Sequence, residues 1–226
     1  MAKVKVSEAD LTFTPLQKTI FDEFSKNPKL VKKFHFTGGT ALSAVYLHHR
    51  DSEDLDFFAE QGFDNLIIEQ FVNEVAKQND LGVRSTEVYS TRIFNLVDKN
   101  SEPVIKIDFN YYPYDRVKEG IVVNGVEIDS KEDIAINKLM TIVDRFEVKD
   151  YVDLYFLLRE FSLERLIKGV KKKFNQEIDL ILLASNFLRA EEFEMLPRML
   201  TRLTIFDLKE YFREEAKKLG KRITKK

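Results

Sequence analysis

The chain contains no cysteine, so neither disulfides nor thiolate metal ligands can contribute to it. That absence suits a reducing cytoplasm. Tryptophan is missing too, while phenylalanine occurs 19 times, which leaves the aromatic part of the core to flat, wholly apolar rings. No run is long and apolar enough to span a bilayer; the longest, around Leu180–Ala184, falls far short. The N-terminal segment carries no apolar stretch of signal-peptide length. A cytoplasmic protein with no membrane partner is therefore expected. The three histidines, His35, His48 and His49, lack metal-ligand spacing on a common face and read as structural. No charge of one sign prevails: 36 basic and 38 acidic residues give a net charge of -2, so no global field advertises a nucleic-acid partner. Internal repeats and low-complexity segments are absent.

What is present is ample for folding. Hydrophobic residues make up 44% of the 226 positions and charged residues 33%, which supports a sizeable core under a solvated surface and excludes a disordered composition. That length suits one large domain or two small ones.

The pattern along the chain changes near residue 130. Thr14-Pro15 reads as the cap and first residue of an amphipathic helix, ended by Pro28. A short strand at 34–37 leads to Gly38-Gly39, and Thr40 is expected to cap a helix reaching about His48. A strand follows from Leu55 to Phe58, and then a helix capped by Asp64. Period-two alternation predicts strands near 83–90, 92–97 and 103–111. A small hairpin is expected about Asn124-Gly125. Ser130–Asp133 resembles a capping box opening a helix to about Phe146. Helices are predicted over 150–161, 163–174, 176–189 and 206–219, the last stopped by Gly220. The expected fold class is α+β, with a mixed-sheet lobe over residues 1–130 and a helical lobe over 131–226. A cleft between two such lobes is a natural ligand site.

Charge is concentrated where chemistry would need it. Asp54-Leu55-Asp56 sends two carboxylates to one face of a strand while Leu55 and Phe57 point to the core. Carboxylates held that close raise each other's pKa unless a cation lies between them. Mg²⁺ or Mn²⁺ prefers such oxygen donors, commonly together with substrate phosphates. On the later strand Ile105, Ile107, Phe109 and Tyr111 share one face and Lys106, Asp108 and Asn110 the other. If the two strands are neighbours, Asp108 joins the pair, as a site for two ions about 4 Å apart requires. Upstream, Gly38-Gly39-Thr40 stands between a strand and a helix, where backbone amides can approach phosphates. A lone DxD is often a solvated turn and a lone Gly-Gly a simple bend. Their order, with the later acidic strand, gives the pattern its meaning. The basic segments Lys171–Lys173 and Lys217–Lys226 read first as solvated surface.

These residues resemble a known family. Gly38-Gly39-Thr40-Ala41-Leu42 followed by His49-Arg50-x-Ser52-x-Asp54-Leu55-Asp56-Phe57 is similar to the first motif of the AbiEii/AbiGii toxin nucleotidyltransferases, members of the DNA polymerase beta-like superfamily. Asp133-Ile134-x-x-x-Lys138, Arg145 and Lys149-Asp150-Tyr151-x-Asp153-Leu154 extend the likeness over roughly residues 30–160. The resemblance implies a nucleotidyltransferase fold, metal binding by Asp54 and Asp56, and Asp108 as third carboxylate. It implies that Lys138 contacts nucleotide phosphates and that Asp150 or Asp153 completes the pocket. Gly38, Gly39, Thr40, Arg50 and Ser52 would line the nucleotide, with Arg50 steadying the acidic loop or touching phosphate. Lys149 stands where arginine is frequent, and Gly39-Thr40 replaces the superfamily's Gly-Ser; neither change removes a catalytic group. Taken on the residues alone, Lys138 would be a surface lysine and Asp150 a helix cap.

The expected activity is transfer of a nucleoside monophosphate from an NTP to an acceptor such as tRNA or another RNA, with Mg²⁺ or Mn²⁺ as cofactor. A role as toxin beside a cognate antitoxin follows from the resemblance alone. A non-catalytic nucleotide- or RNA-binding module, and a metal-dependent phosphohydrolase using the same carboxylates, remain open at this level.

Overall fold

The structure is a computed structural model and describes residues 11–223. Residues 1–10, part of the segment read for a signal peptide, and 224–226, the end of the basic tail, lie outside the described residues. The chain divides into two compact units. One comprises the residues to Tyr46, Ser52–Asp115 and Glu119–Ser130; the other comprises Leu47–Asp51, Arg116–Lys118 and the chain from Lys131 onward.

The first unit begins with α1 (Pro15–Ser25), which Thr14 caps reciprocally: the Thr14 hydroxyl accepts the Gln17 amide N–H at 3.3 Å and the Gln17 side chain accepts that of Thr14 at 2.9 Å. Pro28 closes this region but also opens a second short helix, α2 (Pro28–Lys33), whose cap is Asn27. Strand β1 (His35–Thr37) runs into α3 (Gly38–Ala41), which widens into π-helical turns over Leu42–Leu47. Thr40 is thus inside the helix rather than capping it, because the chain turns helical already at Gly38.

After β2 (Leu55–Ala59), Asp64 caps α4 (Asn65–Gln78) by accepting the Leu66 amide N–H at 2.9 Å. The period-two region forms β3 (Gly82–Val88), β4 (Thr91–Val97) and β5 (Pro103–Tyr111). Asn124-Gly125 links β6 (Ile121–Val123) to β7 (Val126–Ile128) with both residues at positive φ, as a tight hairpin turn requires. The seven strands form one mixed sheet in the order β3-β4-β5-β2-β1-β7-β6, with β2 parallel to β5 and β1 parallel to β7.

One face of this sheet is a phenylalanine core. Phe57 stacks on Phe24 of α1 at 4.1 Å and on Phe109 of β5 at 5.3 Å, and Phe36 contacts Phe21 and Phe57. Each such pair adds about 0.5–1.5 kcal/mol beyond area burial. Leu55, Phe57, Ile107 and Phe109 are completely buried.

The second unit is helical: α5 (Lys131–Asp144), α6 (Val148–Leu157), α7 (Leu163–Phe174), α8 (Leu180–Leu188) with a 3₁₀ extension Arg189–Glu192, and α9 (Ile205–Ile223). Gly220 does not stop α9, which continues through it to Ile223. Tyr151 is buried against Phe193 and Phe212 and donates its hydroxyl to the Asn186 carbonyl at 2.6 Å. Helix α5 starts directly after Ser130, and the Asp133 carboxylate accepts the Val117 and Lys118 amide N–H groups and pairs with buried Lys173 at 3.0 Å. One member of the Lys171–Lys173 run therefore faces inward.

The same unit buries an ionic cluster. Asp153 accepts a fork of two bonds from Arg50, at 2.7 and 2.8 Å, lies 2.8 Å from His49 Nε2, and pairs with Lys138 at 2.6 Å. Asp150 accepts from Lys138 at 2.6 Å and from Arg145 at 2.8 Å. Burial opposes ionisation of Asp153, but Lys138, Arg50 and His49 outweigh it and hold its carboxyl far below the usual range. Burial likewise opposes charge on Asp150, and Lys138 and Arg145 still lower its pKa. Desolvation disfavours the Lys138 ammonium, yet Asp153 and Asp150 raise its pKa.

Removing one partner of a buried charged set leaves the others uncompensated. Asp153→Asn is therefore expected to destabilise the protein by about 3–5 kcal/mol, measured by denaturant or thermal unfolding. The lowered carboxyl pKa values mean that their contribution is complete above about pH 4 and is lost as pH falls through the native values. The raised Lys138 value means that its contribution is complete below about pH 10 and is lost only as pH rises through the native value. The stability gap between wild type and Asp153→Asn should hence stay level from about pH 5 to 9 and narrow below about pH 4. Narrowing already at pH 6 would contradict this assignment of charge.

Candidate active site

The sheet face opposite the phenylalanine core carries the acidic residues. Parallel pairing of β2 with β5 sets Leu55 beside Ile107, Asp56 beside Asp108 and Phe57 beside Phe109. Because side chains alternate along a strand, this register buries the apolar members on one face and lines up Asp56 and Asp108 on the other. Asp54 lies one residue before β2. The side chain of Asp54 is 31% exposed and that of Asp108 12%, so a ligand could reach both while water is partly excluded.

Lys106 stands on the same face, two residues before Asp108. Its ammonium lies 2.7 Å from Asp108 Oδ2 and 3.3 Å from Asp54 Oδ2, and so links the two strands. Partial burial works against the charged amine, but the hydrogen bond and charge of Asp108, with Asp54 and Asp56 behind it, raise its pKa. Among the described residues no three acidic or histidine side chains close on a point as the ligands of a single ion would. The carboxylates are instead gathered around an amine.

Asp56 packs against Gly38. At φ +76° Gly38 adopts a backbone that other residues resist, and a Cβ there would come within 2.1 Å of Asp56 Oδ2. Glycine is needed for two reasons: the turn into α3 and the close approach of the carboxylate. Gly39 follows in the same turn. The buried Thr40 hydroxyl bonds Ser52 Oγ at 2.8 Å and also the Asp54 carbonyl, so it fastens the acidic loop to the helix. Gln17 holds the loop from outside, with its amide donating to the carbonyls of Ser52 at 2.7 Å and Glu53 at 3.2 Å. Beside Asp56, Thr37 of β1 donates to Asp129 Oδ2 at 2.7 Å, His35 Nε2 lies 3.4 Å from Asp129 Oδ1, and Tyr46 donates to the Asp129 carbonyl at 2.8 Å.

The structure thus brings Gly38, Gly39, Thr40, Ser52, Asp54, Asp56 and Asp108 together in the first unit. Arg50, Lys138, Asp150 and Asp153 meet in the buried cluster of the second. Asp150 sits in the first turn of α6 but does not cap it: the cap position is Glu147, whose side chain makes no capping bond, while Asp150 faces Lys138 and Arg145. Lys138, at 7% exposure, points to carboxylates rather than along the surface.

Lys106, Gln17, Thr37 and Asp129 escaped the sequence reading as site residues. For Lys106 a signal existed, since the alternation of β5 puts it on the face of Asp108. For the others the partners are 35 to 92 positions away and no local spacing marks them.

Comparison with known proteins accords with this geometry. The family described as "Nucleotidyl transferase AbiEii toxin, Type IV TA system" matches residues 22–220. An uncharacterized protein of Aquifex aeolicus, aq_aa25, is 33% identical over 165 residues, covering 70% of this chain and 74% of that one. Among solved structures, JHP933 from Helicobacter pylori superposes with a TM-score of 0.55 at 23% identity, covering 98% of this chain and 97% of its own. A second H. pylori chain, assigned provisionally to the nucleotidyltransferases, gives a TM-score of 0.57 at 22% identity, with 97% and 98% covered. These two likenesses establish the α+β fold, and the family match, spanning both the acidic sheet face and the buried cluster, establishes more: the chain belongs to the AbiEii nucleotidyltransferase toxin family.

Proposed function

We propose that this protein transfers a nucleoside monophosphate from an NTP to an RNA acceptor in a reaction that depends on a divalent cation, and that it acts as a toxin held in check by an antitoxin. One observation carries the reading: the β2–β5 register sets Asp56 beside Asp108, with Asp54 adjoining and a glycine-led helix against Asp56. Asp54, Asp56 and Asp108 offer hard oxygen donors, the set that Mg²⁺ or Mn²⁺ takes when it also binds phosphates. The fit is good in chemistry, and Gly38 lets the Asp56 carboxylate lie where a Cβ would otherwise stand.

When bound, such an ion would neutralise phosphate charge and act as a Lewis acid towards the oxygens in transfer. The protein's own groups do the rest. Backbone amides at Gly38 and Gly39 would receive the triphosphate, because glycine lets phosphate approach the main chain and the helix start presents N–H groups. Thr40 and Ser52, bonded to each other, would keep the acidic loop fixed as charge develops, so that little reorganisation opposes the reaction. The acceptor oxygen forms its bond to the α-phosphorus as the bond to pyrophosphate breaks, and Asp108 lies on the side of Asp56 away from β1, where it could take the acceptor's proton.

The order of strands gives this site a direction. Phosphate-binding glycines follow β1 on one side of β2, while Asp108 lies on the other. Beyond it Ile93 of β4 is paired with Asp108, Asn95 with Lys106 and Thr91 with Asn110. The acceptor would enter over β4. In the second unit, Lys138 is held by Asp150 and Asp153, and Arg50 joins through Asp153; these residues would serve by keeping that cluster rigid.

The test uses α-labelled NTPs, Mg²⁺ or Mn²⁺ and total cellular RNA. Wild type should label a discrete RNA species, and Asp56→Ala should reduce labelling by at least about 10²-fold, the scale of losing a major electrostatic group. Gly38→Ala should also reduce labelling strongly, since its methyl would displace the Asp56 carboxylate. Release of free NMP without labelled RNA would turn the assignment to hydrolysis, and binding without consumption of nucleotide would turn it to a binding module.

A further inference from the structure

The sequence pattern anticipates two divalent ions, yet the position shared by Asp54 and Asp108 is already served by a cation of the chain. Lys106 Nζ contacts both carboxylates, at 3.3 and 2.7 Å. Its placement follows from the sheet. Lys106 and Asp108 are two residues apart on β5 and therefore share a face, and pairing with Asn95 of β4 fixes the strand at that point. The side chain is one-third exposed, so the ammonium is held by the geometry of its partners and not by confinement. Asp56 lies against Gly38, on the side of the phosphate-binding turn.

We propose that the Lys106 ammonium is a resident cation of this site, standing in for the ion that would bridge Asp54 and Asp108, so that the protein loads one divalent ion with its nucleotide instead of two. The inference rests on the metal-dependent reading above. An ammonium and a divalent ion repel each other and cannot share the same carboxylate oxygens. Lys106 brings positive charge and three hydrogen-bond donors to the acceptor side of the site without imposing coordination geometry. The single ion then sits with Asp54, Asp56 and the triphosphate. The amine keeps Asp54 and Asp108 in register before nucleotide arrives, which makes Lys106 a positioning residue as well as a counter-charge.

The count of ions tests this without reference to turnover. Protein-bound Mn²⁺ is measured by electron paramagnetic resonance in chains saturated with a non-hydrolysable α,β-methylene NTP, with folding of each variant checked by circular dichroism. Wild type and Lys106→Arg, which keeps the charge, should each hold one ion per nucleotide-loaded chain. Lys106→Met should hold two. Two ions in wild type, or one ion in Lys106→Met, would overturn the proposal while leaving the metal-dependent reading intact. No bound Mn²⁺ in any of the three proteins would overturn both.

Discussion

The parallel pairing of β2 with β5 is the constraint on which the site depends. The same register that places Phe57 beside Phe109 in the core places Asp56 beside Asp108 on the opposite face. A slip of one residue would turn the carboxylates into the phenylalanine layer and the rings into solvent, an exchange that no folded state would tolerate. The stacked column Phe24–Phe57–Phe109 therefore does more than bury area: it fixes the distance between two acidic side chains that electrostatics alone would drive apart. Stability of the sheet and geometry of the site are one and the same specification.

The two units handle charge in opposite ways. In the first, the acidic groups remain partly open to solvent and an amine stands between two of them. In the second, Asp150 and Asp153 are completely buried, and His49, Arg50, Lys138 and Arg145 supply their donors. Opening such a cluster exposes uncompensated charge, so it resists rearrangement. The segment Leu47–Asp51 gains from this: Arg50 is tied to Asp153, pairs as a bridge with Met199, and donates to the Asp51 carbonyl at 2.8 Å. The basic and acidic residues around Lys138 thus form a rigid body of charge.

Much of this was legible in the sequence, and the physics explains which part. Strand periodicity gave the faces of β5 directly, because alternation needs no long-range information. Thr14-Pro15, Asp64 and Asn124-Gly125 identified helix starts and a hairpin through local chemistry, and each is found there. Thr40 misled because the chain already turns helical at Gly38, and its hydroxyl is engaged by Ser52 and the Asp54 carbonyl. Gly220 misled because glycine only permits a stop, and nothing in the chain there requires one. The alternation puts Lys106 on the polar face of its strand, but its role needs the neighbour relation of β2 and β5, which no spacing in one sequence supplies. The depth of Lys138 was hidden likewise, since its carboxylate partners lie on the next helix.

The most direct test of the central claim, that the β2–β5 register builds a metal–nucleotide site, is the anomalous scattering of Mn²⁺ in crystals grown with a non-hydrolysable NTP. The account predicts an anomalous peak within coordination distance of Asp54 and Asp56, with the triphosphate running towards the Gly38-Gly39 amides. A well-ordered triphosphate bound elsewhere, with no anomalous peak at Asp54 and Asp56, would contradict it.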